Sequence, residues 1–260
     1  MKILIAGDSW GIGVFRNIGD TYGPTGQGIT TVFENWGHEI INISCAGGSN
    51  GLMIDRLEGH WEKSDRCLFG VNPAIKVTFD LDDIDIIILF QTDILRERSY
   101  YGKQFESDLY TNWKVLEESF VDQMLDFSSF EKFTNWYFEN LYTKLNSFNK
   151  TILCIGGWSQ LHPTISLYPN LIPVVESAAK FLIPTLNKDC FVSDKEFLIQ
   201  LGQNSKIMEK FGDEIKNMTI QNAEKLDLII EHWQDVHPNF EGYTKIAECL
   251  KPYLETNSIK

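Results

Sequence analysis

A serine near one end of the chain and a histidine near the other are the residues whose surroundings suit chemistry. In "MKILIAGDSWGIGVF", Ser9 follows the apolar run Ile3–Ala6 and sits among Gly7, Gly11 and Gly13. Glycines there permit a tight turn and a close approach by a substrate. A helix starting at that turn would aim its free N–H groups and positive dipole end at the same spot. Ser9 is therefore a candidate nucleophile. On the tripeptide alone, a simple strand-to-helix turn with serine as the cap is the favoured reading. A phosphate cradle at Gly11-Ile12-Gly13 matches the spacing of neither a GxGxxG turn nor a P-loop.

A serine nucleophile needs a base. Of the five histidines, only His237 lies in a context that explains itself, "WQDVHPNFEGYTKIAECL". Pro238 fixes the chain direction after the histidine. Asn239 and Gly242 suggest a turn ahead of the last helix. Asp235 is near enough to orient the imidazole. Nucleophile and base can come from opposite ends of a chain, because such triads are set by geometry and not by order. A metal held by His232, Asp235 and His237 is the competing reading. No fourth ligand is spaced nearby, so it ranks below the triad, and no metal or cofactor is expected. His162 reads as a loop histidine, with substrate contact as its lesser alternative.

Positioning these groups requires a sheet. Apolar runs recur at Ile3–Ala6, Ile40–Ile43, Ile84–Phe90, Ile152–Ile155 and Leu171–Val175, the last broken by Pro173. Nearly continuous β-branched runs such as "DIDIIILFQTD" belong to strands buried on both faces of a parallel sheet. Helical periodicity fills the gaps, at Phe130–Phe148, Lys195–Lys216, Ala223–Trp233 and Tyr243–Leu254. The alternation predicts an α/β fold with five parallel strands. Ligands in such sheets bind at the carboxyl ends of the strands, which is where Ser9 falls. The aromatic-rich segment Arg96–Ser129 reads either as a lid or as an extra helix packed on the body.

Composition narrows the classes. The 260 residues, 43% of them hydrophobic, can build one large core, so one domain over 1–260 is expected. A net charge of -13 argues against nucleic acid as partner. No basic block suits an anionic membrane surface. The N-terminal apolar run is too short for a signal-peptide core, and no stretch reaches the ~18 apolar residues of a membrane helix. The five cysteines are scattered without a CxxC pair, which reads as buried thiols in a reducing compartment. The expectation is a cytoplasmic or otherwise non-secreted protein. Cys45 is read as a structural thiol.

Gly7-Asp8-Ser9 after an N-terminal strand, together with "DVHPNFEGY" near the C-terminus, resembles the SGNH (GDSL-type) hydrolase superfamily. The resemblance implies a flavodoxin-like α/β/α sandwich and ester or thioester hydrolysis through an acyl-serine. It implies Ser9 as nucleophile, with its backbone N–H on the oxyanion. In "NISCAGGSNG" it implies Gly48 as a second oxyanion donor. The third block, Gly-x-Asn-Asp in the family, here reads "LFQTDILRE". Asp93 matches, but Phe90 replaces the glycine and Thr92 the asparagine. The side-chain donor then falls to Thr92 or Gln91. The fifth block, Asp-x-x-His-Pro, keeps His237 and Pro238, but its aspartate stands one step closer, at Asp235. Helical insertions near 96–129 and 190–222 lie outside the family blocks.

Trp10, Asn50, Trp158 and Arg96 are the candidates to line a substrate pocket. A salt bridge is the commoner fate for Arg96, and packing under a loop is the alternative for Trp158. The expected function is hydrolysis of a short-chain ester, acetyl being the first guess, on a small molecule or a glycan. The alternatives are a binding or structural protein that kept the fold with weakened turnover, and an acyltransferase using the same site.

Overall fold

In a computed structural model, the chain folds around one five-stranded parallel sheet. The structure describes residues 1–13, 15–18, 21–24, 28–45, 48–60, 77–92, 99–100, 115–116, 118–157, 160–183, 204–217, 233–234 and 237–257. In chain order the strands are β1 (Lys2–Gly7), β2 (Phe15–Ile18), β3 (Thr21–Pro24), β4 (Glu39–Asn42), β5 (Ile86–Gln91), β6 (Ser99–Tyr100), β7 (Val115–Leu116), β8 (Ile152–Gly156), β9 (Leu171–Val175), β10 (Trp233–Gln234) and β11 (His237–Pro238). The helices are α1 (Ser9–Ile12), α2 (Ile29–Asn35), α3 (Asn50–Leu57), α4 (Glu118–Leu125), α5 (Phe130–Asn146), α6 (Ala178–Leu182), α7 (Ser205–Asn217) and α8 (Phe240–Asn257).

The main sheet runs in the order β4-β1-β5-β8-β9, every neighbour parallel. Counting only its own strands, this is the flavodoxin-like order 2-1-3-4-5, whose direction of winding reverses beside the first strand. All five strands were legible as apolar runs. Their side chains alternate between two cores. Leu4, Ala6, Ile87, Leu89, Ile152 and Cys154 face α3, α4, α5 and α7. Ile3, Ile5, Ile86, Ile88, Leu153 and Ile155 face α2, α6 and α8. The result is a three-layer α/β/α sandwich, as expected. Pro173 is tolerated because β9 is an edge strand, and the ladder shifts register there, between Cys154 and Ile155.

Of the two readings for 96–129, the described part favours the packed helix: α4 buries Val121 and Met124 in the core. α7, within the second expected insertion, buries Ile207 and Phe211 there too. It is tied to the start of α5 by the Phe130 N–H, which donates to Glu214 Oε2 at 3.0 Å. The helix read at Ala223–Trp233 lies outside the described residues except for Trp233, which is in β10. Among the described residues, no helix is long and apolar enough to cross a membrane.

The cysteine reading needs one correction. Cys154 is a buried free thiol and Cys249 a half-buried one. Cys45 is disulfide-bonded, its partner lying outside the described residues. Separation along the chain does not report approach in space, which is what a disulfide needs.

Candidate active site

β1 delivers the serine. Its sequence KILIAG is buried from Ile3 onward, and the chain leaves it at the reversal of winding, at the carboxyl end of β1. Asp8 is extended and caps α1. Its Oδ1 accepts from the Trp10 N–H at 2.9 Å. Ser9 is therefore the first helical residue, and the cap is its neighbour. This corrects the simple cap reading.

Three side chains from other parts of the chain hold this four-residue helix and its caps in place. The Thr92 hydroxyl donates to Asp8 Oδ2 at 2.9 Å. Asn42, at the end of β4, donates from Nδ2 to the Gly11 carbonyl at 2.8 Å. The Tyr243 hydroxyl, in α8, donates to the Gly13 carbonyl at 3.1 Å across 230 positions of sequence. Gly7 lies under Phe90, where an added Cβ would come 2.7 Å from the Phe90 Cβ. Phe90 is thus accommodated by a glycine on the neighbouring strand.

The loop after β4 runs beside this helix. The Cys45 N–H donates to the Gly7 carbonyl at 2.9 Å, and the Gly48 N–H donates to the Cys45 carbonyl at 2.9 Å. The N–H expected to serve an oxyanion at Gly48 is thus engaged in a turn. Ser49 caps α3, accepting from the Leu52 N–H.

Asn50, expected in a substrate pocket, is 1% exposed. Its Oδ1 accepts from the Thr92 N–H at 3.0 Å, and its Nδ2 donates to the Thr92 carbonyl at 3.0 Å and to the Tyr137 hydroxyl at 3.1 Å. Asn50 positions the end of β5 and has no donor left for a ligand. Trp10, also expected to line the pocket, is in the core facing α2 and α8, because the turn of α1 directs its indole inward.

The two candidates for the side-chain donor separate clearly. The single hydroxyl proton of Thr92 goes to Asp8. Gln91 points toward α5, where its Oε1 accepts from the Tyr142 hydroxyl at 2.7 Å, while its buried Nε2 has no hydrogen-bond partner. Opposite pointing of neighbouring residues on an extended chain puts them on different faces.

The C-terminal block reaches the same end of the molecule. Gln234 and His237 pair antiparallel, and Cα atoms of β11 come within 8 Å of Cα atoms in α1 and in α8. Pro238 is buried. Asn239 caps α8 by accepting from the Gly242 N–H at 2.9 Å, so the predicted turn is the first turn of the helix. The side chain of His237, and Asp93, Arg96, Trp158 and Asp235 as whole residues, lie outside the described residues.

His162, read as a loop histidine, caps a short 3₁₀ turn through its side chain. It stacks on Phe138 at 4.9 Å between centroids. Burial lowers its pKa, with Glu139 opposing. The described residues hold one grouping with metal-ligand spacing, Asp55 in the last turn of α3 with Glu58 and His60 just after it. Glu58 there is ion-paired with Lys144.

No family model matches the chain, and no curated protein matches it in sequence. Its neighbours among solved structures include esterases. It is similar to an acetyl xylan esterase, AlAXEase, at 13% identity and a TM-score of 0.38, over 97% of this chain and 99% of that one. It is similar to TesA at 11% identity and 0.37, over 99% of each. It is similar to the psychrotrophic esterase EstA from Pseudoalteromonas sp. at 13% identity and 0.35, over 100% of this chain and 99% of that one. The fold itself rests on the sheet order and layers described above.

Proposed function

We propose that the protein is a serine ester hydrolase of the SGNH type. The observation that supports this most is the approach of the His237–Pro238 backbone to the helix that begins at Ser9. In this reading His237 takes the proton of Ser9, and Ser9 Oγ attacks an ester carbonyl. The Ser9 backbone N–H holds the developing oxyanion, Asp235 steadies the imidazolium, and water then releases the acid. The acyl group in this reading is a short one, acetyl first, carried on a carbohydrate or another small alcohol. Turnover of p-nitrophenyl acetate tests the reading, with loss expected in Ser9→Ala. A fluorophosphonate should label the wild type at Ser9 and leave folded Ser9→Ala unlabelled. Labelling elsewhere, or none, counts against it.

A second reading, a binding protein on the same fold with weakened turnover, draws on the Gly48 N–H and the Thr92 hydroxyl both being engaged within the protein. It predicts folded wild type with no turnover of the activated ester.

A further inference from the structure

Of the three side chains that tie down the helix beginning at Ser9, one differs in where it comes from. Thr92 and Asn42 stand at the ends of strands of the main sheet. Tyr243 stands in the first turn of α8, the helix that opens just after His237–Pro238. Its bond closes a short path between the two ends of the chain. The Gly13 N–H donates to the Ser9 carbonyl at 3.4 Å, and the Gly13 carbonyl accepts from the Tyr243 hydroxyl at 3.1 Å. The Tyr243 N–H in turn donates to the Asn239 carbonyl at 3.0 Å. Pro238, buried and fixed in φ, joins Asn239 to His237. The path from Ser9 to the His237 backbone therefore crosses a single side chain, the Tyr243 phenol.

Both ends of that bond are held. Gly13 has φ 130°, a conformation that favours glycine. It packs so closely on Gly28 that a Cβ there would come 2.5 Å from the Gly13 Cα. Tyr243 is fully buried, in one core with Ile246, Ala247 and Leu250 of the same helix. Apolar packing of that kind is non-directional and does little to stop α8 from sliding along its axis. A hydrogen bond demands both a distance and an angle, so it sets where the helix starts.

We propose that Tyr243 is a positioning residue that locks the start of α8 to the end of α1 and so sets the spacing between Ser9 and His237. The proposal rests on the ester-hydrolase reading. It makes the hydroxyl of Tyr243 matter for the proton transfer from Ser9 and not for the substrate, which it does not touch.

The test compares Tyr243→Phe with wild type on p-nitrophenyl acetate, far below the melting point of either. A misplacement of about 1 Å between reacting groups can cost about 10²-fold. Losing one tie of three should lower kcat by about ten-fold, with KM little changed. A fluorophosphonate should still label every chain at Ser9 at its end point, but about ten-fold more slowly. A merely structural Tyr243 gives the other pattern, a smaller fraction of chains labelled at the wild-type rate, and that overturns the proposal. So does kcat within about three-fold of wild type. In the His237→Ala background, Tyr243→Phe should leave the slow residual labelling unaltered, because it acts only through the spacing to His237. An equal loss in both backgrounds overturns the proposal. Should Tyr243→Phe fail to fold, Gly28→Ala carries the test. Its Cβ pushes Gly13 off its bond to Tyr243, and kcat should fall likewise with KM little changed; a wild-type kcat overturns the proposal. Ser9→Ala separates the two levels. Turnover surviving in Ser9→Ala removes the hydrolase reading itself, whereas turnover lost there but kept in Tyr243→Phe removes only the role of Tyr243.

Discussion

Replacing Asn50 by leucine removes three hydrogen bonds while keeping the branched shape and the number of heavy atoms. Two of them satisfy the backbone of Thr92, N–H to Oδ1 at 3.0 Å and C=O to Nδ2 at 3.0 Å. Asn50 and Thr92 are both buried, so water does not readily replace the lost partners. An unsatisfied buried backbone group costs about 1–3 kcal/mol. Two such groups, with some relaxation at the strand end, give a loss of about 3 kcal/mol for Asn50→Leu. At ~2–4 °C per kcal/mol for a chain of this size, the melting temperature should fall by about 6–12 °C. Urea unfolding and calorimetry would measure it. At a temperature where the variant stays folded, kcat on an activated ester should drop with KM little changed if Ser9 is the nucleophile, because Thr92 holds the aspartate that caps the helix beginning at Ser9. An unchanged melting temperature with a raised KM would refute the reasoning and return Asn50 to the substrate pocket.

Other expectations follow from single groups. Asp235→Asn should lower kcat/KM by ~10⁴ if the carboxylate holds the His237 tautomer; a value within a few-fold of wild type leaves a Ser9–His237 dyad. Gly28→Ala places a Cβ 2.5 Å from the Gly13 Cα, and this overpacking should cost about 1–3 kcal/mol in urea unfolding; no loss would mean the turn after α1 is free to shift. His162 has its pKa lowered by burial. Below the ordinary value of about 6.5 the unfolded chain takes the proton first, so stability should fall as pH drops from there toward the folded pKa. Melting curves between pH 7.5 and 5.5 should lose part of this slope in His162→Asn, and an identical slope would discount the burial.

The sheet was legible because its signal is local. Runs such as Ile84–Phe90 name a strand buried on both faces without reference to anything distant, and the structure returns Ile86–Gln91. The turn at Ser9 was legible for the same reason, since glycines around a serine at a strand end imply a tight, approachable backbone. The ties that fix the site were not. Asn50 meets Thr92 across 42 positions, Tyr142 meets Gln91 across 51, and Tyr243 meets Gly13 across 230. Each is an ordinary residue on a helix, and nothing in its neighbours announces a partner on another element. Asn42 stands just before the glycine loop, yet its bond to the Gly11 carbonyl depends on β4 lying beside β1, a fact of topology. The disulfide at Cys45 is hidden in the same way.

The altered third block can be argued further from what its neighbours still have to give. In the family pattern an asparagine at position 92 would bring a side-chain amide to the oxyanion. Here four groups near the end of β5 could stand in for it, and each can be counted. The Thr92 hydroxyl has one proton, which goes to Asp8. The Gly48 N–H goes to Cys45. Asn50 Nδ2 has two, given to the Thr92 carbonyl and the Tyr137 hydroxyl. Gln91 Nε2 has two and gives neither. A threonine at 92 therefore has a use that asparagine would serve less compactly, tying the end of β5 to the aspartate that caps α1.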